Sequence, residues 1–79
     1  MITAEVALYP LKTTDASGVI NKSIDTLKDS HIQYNVNSMN THITGSREEI
    51  FKGLESMFSQ AENNGGEITM VITLTNAAG

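Results

Sequence analysis

With 79 residues and a net charge of −4, the chain has the length of one small domain (1–79), near the limit at which a single apolar core suffices without staples. The absence of cysteine excludes disulfides, thiolate metal sites, iron–sulfur clusters and a cysteine nucleophile. The scattered basic residues Lys12, Lys22, Lys28, Arg47 and Lys52 give no stripe for a phosphate backbone, and neither a membrane span nor a signal peptide is legible, so a cytoplasmic protein without nucleic-acid or membrane partners is expected.

From the N-terminus, Ile2, Ala4, Val6 and Leu8 alternate with Thr3, Glu5, Ala7 and Tyr9, the period of a strand with two unequal faces. Pro10 stops it, because proline cannot donate to the ladder. A polar connection leads to a helix cap at Thr14 or Asp15. Ala16, Val19, Ile20, Ile24 and Leu27 then recur at helical spacing opposite Lys22, Asp25 and Asp29, which predicts the first helix. Ile32, Tyr34 and Val36 form a second alternating run, and Met39, Thr41 and Ile43 a third. The two are joined by a turn over Asn37 to Asn40, a pair of short strands in a hairpin. Gly45 ends the hairpin. Ser46 with Glu49 three residues on matches a capping box, in which each side chain satisfies an orphan amide. The stripe Ile50, Phe51, Leu54, Met57, Phe58 and Ala61 predicts the second helix, stopped by Asn63-Asn64-Gly65-Gly66. Ile68, Met70, Ile72 and Leu74 give a last strand.

The order β-α-β-β-α-β predicts an α+β fold of the ferredoxin-like kind, a four-stranded antiparallel sheet with two helices on one face. The first and third strands should be central. The other sheet face stays partly apolar at Ala7, Tyr9 and Val71, and a chain this short gains most by self-association, so a homodimer or homotetramer through the sheet is expected.

Catalytic patterns are missing. His31 and His42 lie in different elements without metal-ligand spacing, no serine sits in a nucleophile elbow, and the first connection holds no glycine-rich phosphate cradle. The central strands lack an aromatic platform for RNA. Neither an enzyme nor a metal or cofactor site is expected. Three features invite a ligand. Glu5 is a carboxylate in an apolar strand, which must be solvated, paired or used. Tyr9 offers a ring for stacking. The amides and hydroxyls of Asn35, Asn37, Asn40, Thr41 and Thr44 cluster at the hairpin, although asparagine is also the ordinary residue of turns. Met39, Met57 and Met70 read as core filler.

The opening segment from Met1 to Leu11 and the hairpin Asn37-Ser38-Met39-Asn40-Thr41-His42-Ile43-Thr44-Gly45 resemble the small thiamine-binding proteins of the YkoF-like family. That family opens with an acidic residue in strand one before a proline and carries a Pro-Met-Gly-Thr-x-(Ile/Val)-Glu-Gly hairpin. Glu5, Pro10, Met39, Thr41 and Gly45 match this pattern. Ser38 stands for its proline, Asn40 for its glycine, a place asparagine can fill at positive φ, and Thr44 for its glutamate. The resemblance implies a non-catalytic protein that binds thiamine or its hydroxymethylpyrimidine part as a ligand, with subunits assembled as dimers or tetramers. An aminopyrimidine would then meet Glu5 as acceptor, Asn37, Thr41 and Thr44 as orienting polar groups, and Tyr9 with Met39 as walls. Two alternatives use the same topology: an ACT-like regulatory domain binding an amino acid or other metabolite, and a purely structural oligomerising protein.

Overall fold

In the computed structural model, which describes residues 1–77, strand β1 (Ile2–Pro10) buries Ile2, Ala4 and Val6 and leaves Glu5 and Tyr9 exposed on its other side. It pairs antiparallel with both β3 (Thr41–Gly45) and β4 (Ile68–Thr75), while β2 (Gln33–Val36) pairs antiparallel with β3. The sheet order is therefore β2-β3-β1-β4, with the first and third strands central as their apolar alternation requires. Register follows the pleat: Ala4 stands opposite Ile43 and Leu74, and Glu5 opposite His42 and Thr73. Helices α1 (Ala16–Asp25) and α2 (Arg47–Gly65) lie on the Ala4 side. This is the expected ferredoxin-like β-α-β-β-α-β fold.

Local chemistry sets the helix ends. The Asp15 carboxylate caps α1 by accepting from the Gly18 amide at 3.1 Å. That helix ends earlier than the apolar stripe suggests, at Asp25, and Leu27 is buried from the turn that follows. Ala16 is exposed. Ser46 caps α2 by accepting from the Glu49 amide at 3.2 Å. The reciprocal half of the expected capping box differs, because the Glu49 carboxylate accepts the Ser46 hydroxyl at 2.9 Å in place of a backbone amide. Gly66 closes the helix at φ 74°, a conformation that favours glycine.

Between sheet and helices, Val6, Ile24, Leu27, Ile43, Ile50, Leu54 and Met57 make one core. Three expectations about it fail. Phe51 and Phe58 are 50% and 39% exposed, because they lie on the flank of α2 away from α1, where no third helix stands. Ile72 and Leu74 are on the helix side of the sheet, yet edge strand β4 leaves them 42% and 41% exposed. Met39, read as core filler, lies in the β2–β3 turn and is 80% exposed. Met57 is buried and Met70 packs against the core's margin, as expected of filler.

Candidate functional site

The β2–β3 turn is built by one asparagine. The Asn37 side-chain oxygen accepts from the backbone amides of Met39 and Asn40, both at 2.9 Å. Its side-chain nitrogen donates to Asn40 Oδ1 at 2.8 Å, and the Asn37 amide donates to the Asn40 carbonyl at 3.0 Å. Asparagine mimics a backbone turn in this way. Asn40 needs no positive φ, since among the described residues no residue other than glycine has one.

This braced turn forms one wall of a cleft of about 220 Å³ on the helix side of the sheet. The opposite wall is α1, which contributes Ser17, Ile20, Asn21 and Ile24. Strand β1 supplies Val6 and Leu8 to the lining, α2 supplies Met57, and the hairpin adds Val36, Met39 and Thr41. Two properties define the lining. Every polar side chain in it is a neutral amide or hydroxyl (Ser17, Asn21, Asn37, Ser38, Asn40 and Thr41), and no charged residue takes part. Thr41 is the one of these that is buried, at 5% exposure, where the cleft meets the core. An apolar cavity with a few convergent donors and acceptors is the usual form of a small-molecule site.

Of the six residues singled out from the sequence, the fold brings Asn37, Met39 and Thr41 together at this cleft. It sends Glu5, Tyr9 and Thr44 to the opposite face of the sheet. The cause is strand parity: successive side chains alternate, so Glu5 and Tyr9 oppose Val6 and Leu8, and Thr44, three positions after Thr41, points the other way. On that open face each already has a setting. Glu5 Oε2 lies 3.2 Å from His42 Nε2, an ion pair whenever the imidazole is protonated, with both side chains about half exposed. Thr44 shares a 3.2 Å hydroxyl contact with Thr3. Tyr9 is 52% exposed at the strand's end. The single six-residue site expected from sequence is thus two groups on two faces.

Sequence reasoning missed Ser17 and Asn21. Their signal was present, since two small polar residues four apart share a helix face, here flanking the apolar stripe and facing the hairpin across the cleft. Among the described residues no group of three or more His, Asp or Glu could hold a metal ion, and no helix is long and apolar enough to cross a membrane.

The sequence matches the model of the YKOF-related family over residues 1–78. The chain belongs to the YKOF-related family. Solved structures share its fold at low identity. A Streptococcus pneumoniae protein superposes with a TM-score of 0.88 at 15% identity, over 98% of this chain and 87% of that one. A hypothetical protein of Methanocaldococcus jannaschii gives 0.88 at 23% identity, over 98% and 80%. A Thermotoga maritima protein proposed to serve thiamine biosynthesis or salvage gives 0.83 at 18% identity, over 96% and 83%. No protein of curated function matches by sequence. In this YKOF-related chain the hairpin that carried the resemblance, from Asn37 to Thr41, is also the wall of the cleft.

Proposed function

We propose that this protein is a non-catalytic carrier or sensor of a small neutral heteroaromatic ring, the hydroxymethylpyrimidine part of thiamine, bound in the cleft between α1 and the β2–β3 turn. The observation that carries the reading is the lining: neutral amides and hydroxyls around an apolar floor, with no charge. An aminopyrimidine presents an amino donor and ring-nitrogen acceptors, which Asn21, Asn40 and the Thr41 hydroxyl can satisfy while Leu8, Ile20 and Met39 flank the ring. Its volume, about 220 Å³, lies below the ~300–1,000 Å³ common for drug-sized ligands, which suits one ring better than whole thiamine. A phosphate ester would want a basic residue, and a cationic thiazolium would gain from a carboxylate. Glu5, expected to receive the ligand, is on the other face. An amino acid, as in the ACT-like alternative, would bring two opposite charges into a cleft with no charged partner for either. Family membership and the thiamine-related description of the Thermotoga protein support the ligand class.

Self-association is part of this reading, because so small a domain exposes several large apolar side chains.

The test is a thermal melt with hydroxymethylpyrimidine, thiamine, thiamine phosphate and a panel of amino acids. A ligand at ~100 times its dissociation constant adds about 2.7 kcal/mol, which in a domain this small raises the midpoint by roughly 10 °C or more. The pyrimidine should give the largest shift and amino acids none. A shift with amino acids alone would replace this reading by the ACT-like one, and no shift at all would remove it.

A further inference from the structure

Two of the chain's four methionines line the cleft, in opposite circumstances. Met57 is buried in the floor, whereas Met39 stands on the rim, 80% exposed, in the β2–β3 turn. The other two are away from the cleft. Met70 packs against the margin of the core, and Met1 is exposed at the N-terminus beside a different depression. The backbone under Met39 is fixed, because its amide donates to Asn37 Oδ1 at 2.9 Å. Its side chain is free, since a methionine has several rotatable bonds and an exposed side chain changes rotamer within nanoseconds. An apolar side chain held at the mouth of a cleft gains by folding down on an aromatic occupant. That burial removes its surface from water, and a thioether sulfur is itself favourable against the edge of a ring.

We propose that Met39 is a modification site, a flap over the ring in the cleft whose oxidation to the sulfoxide loosens the ligand. This rests on the pyrimidine reading given above and adds control of the same site. The oxidant is a peroxide. The Met39 sulfur attacks one oxygen of hydrogen peroxide, and an S–O bond forms as the O–O bond breaks. The proton on the transferred oxygen passes to the departing hydroxide, which leaves as water. The thioether loses two electrons and the peroxide gains them. The sulfoxide is polar and chiral, so the side chain now favours water over the ring, and the contact that closed the cleft is lost. A sulfoxide reductase with a dithiol reverses the step, the oxygen leaving as water while the dithiol becomes a disulfide. Exposure makes the site selective, since Met57 lies beneath the ring and Met70 against the core. With no cysteine in the chain, no thiol of its own competes for the oxidant. Occupancy and oxidation oppose each other, because a ring that lies under Met39 also shields its sulfur.

Hydrogen peroxide treatment tests this, with each methionine followed by peptide mass spectrometry and hydroxymethylpyrimidine binding by titration calorimetry. Met39 should gain oxygen as readily as Met1 and well ahead of Met57 and Met70, and the pyrimidine should slow the reaction at Met39 alone. Oxidation should weaken binding at least about threefold, the size of one sulfur–ring contact, and methionine sulfoxide reductases should restore it. Met39→Leu should bind more weakly than the wild type and lose nothing further with peroxide, even though its Met1 is oxidised. Met70→Leu should respond to peroxide as the wild type does. Circular dichroism verifies that each protein stays folded. Unchanged binding once Met39 is oxidised, or oxidation of Met57 ahead of Met39, overturns the proposal and leaves the ligand reading in place. An equal peroxide-induced loss in Met39→Leu puts the sensitivity elsewhere and overturns it too. Reduced protein that binds no pyrimidine overturns the ligand reading and this proposal with it.

Discussion

The two faces of the central strands use similar polar side chains to opposite ends. On the helix side, Thr41 and the asparagine turn face α1 across a concavity with apolar neighbours. On the open side, Glu5, His42, Thr3 and Thr44 pair with one another across β1 and β3 on a flat exposed surface. A hydrogen-bonding group facing water has little to offer a ligand that water does not already supply. The same group buried among apolar neighbours is costly to leave unused. Polar residues thus become a site here by concavity, not by type.

The sharpest way to break that contrast is through the shared core. Ile43, fully buried under β1 and α2, should cost about 2–5 kcal/mol as Ile43→Ala, a fall of at least roughly 10 °C in a thermal melt, and both faces should be lost together. Asn37→Ala removes three side-chain hydrogen bonds from the turn. We expect a loss of about 1–2 kcal/mol in chemical denaturation, together with loss of the pyrimidine-induced shift, because the cleft wall is unbraced. Thr41→Val keeps the shape and should change stability by no more than about 1 kcal/mol, while titration calorimetry with the pyrimidine shows binding weakened at least about tenfold, the equivalent of one lost hydrogen bond. The smallest effect belongs to the open face. Glu5→Gln removes an exposed pair worth about 0–1 kcal/mol and should leave pyrimidine binding unchanged. A binding defect in Glu5→Gln as large as that of Thr41→Val would erase the distinction between the faces.

Much of this was written in the sequence. Alternation in β1 separated Ala4 and Val6 from Glu5 and Tyr9, a cap at Thr14 or Asp15 and another at Ser46 placed both helix starts, and the order of elements led to the sheet order. The stretch from Asn37 to Thr41, part of one of the two segments that carried the family resemblance, also lines the cleft. Parity, too, was available: Thr41 and Thr44 are three apart in one strand and cannot share a face. Grouping them by chemistry in place of geometry joined two surfaces into one expected site.

Other features could not be read from one dimension. Phe51 and Phe58 fit the helical stripe as well as Leu54 and Met57 do, and their exposure depends on which flank of α2 has a neighbour. Ile72 and Leu74 alternate as Ala4 and Val6 do, but a strand at the edge of a two-helix layer receives less cover than one at its centre. Ser17 and Asn21 are ordinary helix residues until the hairpin is folded opposite them. Local pattern and capping determined the elements, their order and their inward faces, because these depend on neighbours within a few positions. The cleft, the bare flank of α2 and the open edge of β4 were decided only by tertiary packing, because each exists where elements distant in sequence meet, or fail to.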